Sequence, residues 1–214
     1  VFKGEGTESY EPRFTYHGFR YVEITGPRKK PTPAMVEGRV VHADFGNEGS
    51  VTCSDTMLNR VAQNFRWSMV SNFMSFPTDC PMRNERTPCS MDSRVYEEAA
   101  MYLFPMYRYY RTWLRNSRGV YGNPDWDGDQ VLLPWRLFRC YGDTAILREN
   151  YPTMRAYVDT IARRTPDLIY RGGYGDWCAP NTGTWESYFS NVAPVNTAVF
   201  FQCADAVANA ASVL

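Results

Sequence analysis

The segment Ser54-Asp-Thr-Met-Leu-Asn-Arg-Val-Ala-Gln-Asn-Phe-Arg-Trp-Ser-Met-Val-Ser-Asn-Phe73 decides the fold class. Ser54 and Asp55 carry side-chain oxygens that can accept from the free backbone N–H groups opening a helix. Met57, Leu58, Val61, Phe65, Met69 and Phe73 then recur at the three- and four-residue spacing that places them on one helical face. A helical domain therefore begins near residue 53. A second helix is predicted through Val95, Ala99, Tyr102, Leu103, Met106, Tyr110, Trp113 and Leu114, with Pro105 as a kink and Gly119 as a stop. A third covers Asp129 to Cys140 and contains Pro134. A fourth covers Thr144 to Arg164, with Asp143 as its cap, and a fifth runs from Pro194 to Leu214.

Upstream of residue 53 the pattern changes. Phe19-Arg-Tyr-Val-Glu-Ile24 alternates with period two, and Val36 to Phe45 contains a second such run, so both read as strands. Between them Gly26-Pro-Arg-Lys-Lys-Pro-Thr-Pro33 is a turn-rich loop in which helix is excluded. The expected organisation is a β segment over 1–52 followed by a mostly α domain over 53–214.

The chain has 214 residues, with 23 basic and 23 acidic side chains and a formal net charge of zero. Such a balance lacks the broad positive field that nucleic-acid or anionic-membrane binding requires, so neither partner is expected. No run of apolar residues is long enough to cross a membrane as a helix. Aromatic residues make up 15% of the chain, including six Trp and fifteen Tyr, a supply that suits a packed core and also the C–H faces of sugars. The six cysteines Cys53, Cys80, Cys89, Cys140, Cys178 and Cys203 are scattered with no CxxC pair, which argues against zinc and for small-residue packing, with room for a disulfide or two. The compartment stays open, a periplasmic or secreted one being slightly favoured. The absence of an initiator Met and the uncapped end of the last helix suggest a piece of a longer protein. His17 and His42 lie in the β part and read as structural residues rather than bases.

Chemistry is concentrated in three loops. Asp79-Cys-Pro-Met-Arg-Asn-Glu-Arg-Thr-Pro-Cys-Ser-Met-Asp92 packs acids and arginines between apolar helices, where unpaired charges would be costly. Asn123-Pro-Asp-Trp-Asp-Gly-Asp129 and Gly172-Gly-Tyr-Gly-Asp-Trp177 combine carboxylates with indoles. In a barrel of α/α hairpins such loops would converge at one end.

The chain resembles the α-L-rhamnosidases of glycoside hydrolase family 78. The residues carrying the resemblance are Phe14 to Gly26, Val36 to His42, Asp79-Cys-Pro-Met-Arg-Asn-Glu-Arg86, Pro124-Asp-Trp126 with Pro134-Trp135, and Tyr174-Gly-Asp-Trp177. The resemblance implies a partial (α/α)6 six-hairpin barrel preceded by the terminal strands of a β-sandwich. It implies that Glu85 is a general acid, that Asp79, Arg83 and Asp92 grip sugar hydroxyls, and that Trp126 and Trp177 form apolar walls for the ring and its 6-deoxy methyl group. The implied reaction is release of terminal α-L-rhamnose from a glycoside or polysaccharide with inversion, the general base lying beyond Leu214, so that these residues alone lack a complete active site. No metal or other cofactor is called for. Several positions depart from the family pattern: Met82 stands where Gln is usual, Asn84 where Asp is, Thr87-Pro-Cys89 where Leu-Gly-Trp is, and Gly128 where Asp is. Those departures keep two other readings in view, a sugar-binding, lectin-like homologue that no longer hydrolyses and a purely structural helical scaffold.

Overall fold

The structure is a computed structural model that describes residues 4, 6–27, 30–46, 49–83, 90–117, 122–177, 189–190 and 192–214. Among the described residues seven α-helices dominate: α1 Thr56–Asn72, α2 Ser90–Leu103, α3 Tyr107–Asn116, α4 Pro124–Asp127, α5 Asp129–Tyr141, α6 Thr144–Arg164 and α7 Val192–Val213. Two short strands, β1 Asp176–Trp177 and β2 Phe189–Ser190, pair antiparallel with Asp176 opposite Ser190 and Trp177 opposite Phe189. The architecture is mostly α, as the periodicity predicts.

Helix α5 is the centre of the bundle, packing against α2, α3, α6 and α7. Its sequence explains this placement, because Val131, Leu132, Leu133, Pro134 and Leu137 are all buried and leave little polar surface to face water. Helices α5 and α6 are joined by only Gly142 and Asp143, a connection so short that the chain must double back into an α/α hairpin. Gly142 takes a left-handed φ of +71° and its N–H closes the α5 terminus on Phe138 O at 2.7 Å. Asp143 caps α6 by accepting from Ala145 N at 2.8 Å. One stripe of α6, Ile146, Leu147, Asn150, Met154, Tyr157 and Ile161, enters the core. From α7 the matching stripe is Asn196, Val199, Phe200, Cys203, Ala206 and Ala210.

Asp55 caps α1, accepting from Met57 N at 2.7 Å and Leu58 N at 3.3 Å. Only the end of that helix is deeply buried, at Met69 and Val70, while Met57, Leu58 and Val61 remain exposed. The single helix expected from Val95 to Leu114 is two helices. Pro105 has no N–H to donate and its ring blocks the preceding turn, so the kink becomes a break. The next donor, Met106 N, is shared between Phe104 O at 2.8 Å and Tyr141 Oη at 3.0 Å.

The segments 19–24 and 36–45 run without forming a strand, and Pro33–Met35 is a turn of 3-10 helix. A strand exists only with a hydrogen-bonded neighbour, and among the described residues none pairs with these segments. Phe19, Tyr21, Val22, Val40 and Val41 are accordingly exposed. This region is nevertheless tied to the helices. Ala43 N donates to Phe73 O at 2.8 Å, and the Phe45 ring enters an aromatic cluster with Phe73, Phe104 and Tyr109, centroids 5.2 to 5.4 Å apart. His42 stacks on Phe45 and its Nδ1 lies 2.6 Å from Ala43 O, a structural placement. Among the described cysteines, Cys53, Cys80, Cys140 and Cys203 are free thiols. No described helix is long and apolar enough to cross a membrane.

Candidate active site

Asp79 sits in the turn that follows α1, where Thr78 N returns to Asn72 O at 3.0 Å and Phe73 bridges to Pro77. Its carboxylate is largely covered, at 11% exposure, and Arg83 Nη2 approaches Oδ2 to 3.7 Å from a side chain that is 66% exposed. Asp92 lies in the first turn of α2 and points to solvent, where the helix dipole favours its negative charge. Glu85, together with Asn84 and Cys89, lies outside the described residues.

The second and third loops do converge. The short helix α4 lies within the stretch Asn123–Asp129 that the sequence reading takes as a loop; Pro124 starts it at the position where proline costs no hydrogen bond. Helix α4 presents Trp126, half-buried, against the Tyr174 ring with centroids 4.7 Å apart. Tyr174 belongs to the loop leading into β1, and Trp177 stands on that strand, its side chain outside the described residues. Tyr170 locks the same two loops together by donating its hydroxyl to Asn123 Oδ1 at 2.8 Å. The first loop is coupled less directly: Arg94, on the helix that follows it, donates to Pro124 O at 3.2 Å.

Three buried acids line this region. Asp125 is fully buried, and its Oδ2 accepts from Tyr174 N and Gly175 N, both at 2.7 Å, and from Asn196 Nδ2 at 2.8 Å. Glu97 on α2 is fully buried and receives Arg136 of α5. Asp129, at the start of α5, is buried with neither carboxylate oxygen hydrogen-bonded among the described residues. Burial pushes the Asp129 carboxyl well above the usual carboxylate range and the nearby Glu97 adds to the shift, against Arg94 and Arg136. Burial likewise raises Glu97, against the pull of Arg136. Asp127, beside them, is also raised by burial, although the backbone amides of Gly122 and Asn123 donate to it.

None of these three acids was given a role from the sequence, although Asp125 and Asp129 lie in the loop picked out for its carboxylates. Glu97 shares the buried face of α2 with Ser93 and Ala100, whereas Val95 and Tyr102, from which that helix's apolar face was read, are exposed. For Asp125 the signal was weak, because its partners lie 49 to 71 residues away. Among the described residues no cluster of His, Cys, Asp and Glu could hold a metal ion.

Comparison with known proteins gives these loops a context. Residues 46–214 match the family described as the bacterial alpha-L-rhamnosidase 6 hairpin glycosidase domain, and residues 1–42 match the bacterial alpha-L-rhamnosidase concanavalin-like domain. An alpha-L-rhamnosidase of Streptomyces avermitilis is 34% identical over all of this chain, which covers 22% of that protein. One from Formosa agariphila is 32% identical over 98% of this chain and 25% of its own length. The crystal structure of the Streptomyces avermitilis enzyme complexed with L-rhamnose superposes with a TM-score of 0.89 at 33% identity, covering 99% of this chain and 22% of that one. The chain thus spans about a quarter or less of the relatives it matches. With the helical part matched from end to end and identity above three in ten across the whole sequence, this chain belongs to the bacterial α-L-rhamnosidase family, within which residues 46–214 are part of the six-hairpin glycosidase domain.

Proposed function

We propose that the protein carrying these residues is a glycoside hydrolase that releases terminal α-L-rhamnose from a glycoside or polysaccharide. The observation that carries this reading is the match of residues 46–214 to the rhamnosidase glycosidase domain with the Asp79-Cys-Pro-Met-Arg-Asn-Glu-Arg86 motif inside it. In this reading the catalytic domain opens near residue 53. Glu85 is the general acid, giving its proton to the departing glycosidic oxygen as positive charge develops on the sugar ring. The reaction inverts the anomeric centre, with a second carboxylate about 6.5 to 9.5 Å from the first activating water on the opposite face. That base is supplied from outside residues 1–214.

Asp79, Arg83 and Asp92 bind sugar hydroxyls, a role suited to charged groups because hydrogen bonds to them are stronger than neutral ones. The partial cover over Asp79 and the exposed position of Arg83 beside it support the role. Trp126 and Trp177 offer flat apolar faces to the 6-deoxy sugar, and the packing of Trp126 on Tyr174 supports a continuous aromatic wall.

The test is hydrolysis of a chromogenic aryl α-L-rhamnoside by the full-length product of the gene and by its Glu85→Gln variant. Turnover that falls at least about a hundredfold in the variant, with rhamnose binding retained, is the expected result. Proton NMR of the first-formed sugar reports inversion directly. Saturable rhamnose binding without turnover in the unaltered protein would instead establish the lectin-like alternative suggested by Asn84, Cys89 and Gly128.

A further inference from the structure

The buried Asp125–Asn196 pair ties together the two segments that carry the aromatic residues, and it does so with almost no surface of its own. Both side chains are fully buried. Asn196 of α7 accepts from Asp125 N at 2.9 Å through Oδ1 and donates to Asp125 Oδ2 at 2.8 Å through Nδ2. The same Oδ2 receives the consecutive amides of Tyr174 and Gly175, which immediately precede β1. One carboxylate oxygen therefore fixes the backbone of the third loop against α4 and α7 at once. Its immediate sequence neighbour is Trp126, and the ring that Trp126 packs on is that of Tyr174. Trp126 and Tyr174 retain solvent exposure while Asp125, Gly175 and Asn196 are buried, so the network meets solvent at those two rings.

We infer that Asp125 and Asn196 are positioning residues for sugar recognition: they hold Trp126, Tyr174 and the strand bearing Trp177 as one rigid aromatic wall that selects the 6-deoxy sugar. This inference rests on the rhamnosidase reading for its substrate, but the clamp itself does not. The chemistry asks for an acceptor oxygen at 125. Alanine there removes it and leaves the Tyr174 and Gly175 amides and the Asn196 NH2 without that acceptor. Asparagine can keep its carbonyl oxygen on all three donors, but it sets an NH2 where Oδ1 stood, a buried position with no hydrogen-bond partner among the described residues. D125N is therefore the milder change and D125A the severe one.

The experiment uses the full-length gene product in three forms: unaltered, D125N and D125A. Each is assayed on an aryl α-L-rhamnoside and on the aryl α-L-mannoside, which differs only by a hydroxyl at C6. Amide hydrogen exchange at Tyr174 and Gly175 is followed in parallel. Expected for D125A are a KM for the rhamnoside raised roughly 10- to 100-fold with kcat changed less, a narrowed preference over the mannoside, and faster exchange at both amides. D125N, which keeps the accepting oxygen, should fall between D125A and the unaltered protein on all three. Unchanged exchange at Tyr174 and Gly175 in D125A overturns the clamp. Faster exchange with KM and sugar preference unmoved overturns its positioning role. If the unaltered protein turns over neither sugar, it is the rhamnosidase reading that fails, and the exchange data alone then decide the clamp.

Discussion

Arg136 of α5 donates to the fully buried carboxylate of Glu97 on α2, and its guanidinium also reaches Arg94 O at 3.1 Å and Glu98 at 3.7 Å. This contact is the polar seam between the two helices that lie under the candidate site. A buried ion pair is expensive to form, but it is far more expensive to break from one side, because the remaining charge is then stranded.

Replacing Arg136 alone with Met should therefore lower stability by about 3 to 5 kcal/mol, whereas pairing that change with Glu97→Gln should recover a large part of the loss. Urea unfolding of the two single variants and the double variant supplies the cycle. Additive losses in the double variant would show that the pair does not act as a unit.

Asp129 lies in the same layer and holds its proton to higher pH in the fold than in the unfolded chain, chiefly because it is buried. A carboxyl raised in this way leaves stability intact below the unfolded value near 4. It then erodes stability as pH rises above that point, since the unfolded chain releases the proton more readily. Melting temperature should thus decline as pH rises above about 4 through this group. Asp129→Asn should flatten the decline and converge with the unaltered protein near the acidic end, as followed by circular dichroism.

Glu149 titrates in the opposite sense. Arg115 and Arg111 of α3 both donate to it across to α6, Arg115 Nε at 2.7 Å and Arg111 Nε at 2.8 Å, and they hold its carboxyl down at about 2. Stability from this triad is present above the ordinary glutamate value and is lost as pH falls from about 4.5 toward 2. The guanidiniums are partly exposed, so the contribution is modest, about 1 kcal/mol or less. Glu149→Gln should remove an acid-labile increment of that size, and raising the salt concentration should shrink it further.

The helices were legible where local chemistry and long-range packing agree. Helix α6 spans Thr144–Arg164 as its cap, stripe and basic last turn predict, because Asp143 and the buried face are both read from adjacent residues. The β-like runs at 19–24 and 36–45 show the converse, as alternation describes a strand's faces but the ladder depends on a neighbour that local sequence cannot name. Helix α4 was hidden because four residues opened by a proline carry no period. The loops could be recognised as chemically rich, yet their convergence rests on Asp125, whose three donors come from two remote segments. A lone aspartate before a tryptophan carries no sign of that. Glu97 was passed over for a related reason: charge suggests surface, and only the identity of its partner, Arg136, 39 residues on, makes burial tolerable.

Gly173 and Gly142 separate two causes of glycine dependence. Both have left-handed backbones, with φ of +95° and +71°. A Cβ at Gly142 would meet nothing within 4 Å, so Gly142→Ala should cost only the conformational penalty, about 1 kcal/mol. A Cβ at Gly173 would lie 2.7 Å from Asn196 Nδ2 and 2.8 Å from each Asp125 carboxylate oxygen, contacts that buried, hydrogen-bonded groups cannot relieve without moving. Gly173→Ala should therefore destabilise by more than its counterpart, about 2 to 4 kcal/mol, and should loosen the Tyr174 and Gly175 amides as well. Thermal unfolding of both variants with hydrogen exchange at those amides checks this. Equal losses at the two glycines would mean that the third loop can shift away from Asp125 at little cost, and that the close approach of backbone to carboxylate is not what holds it.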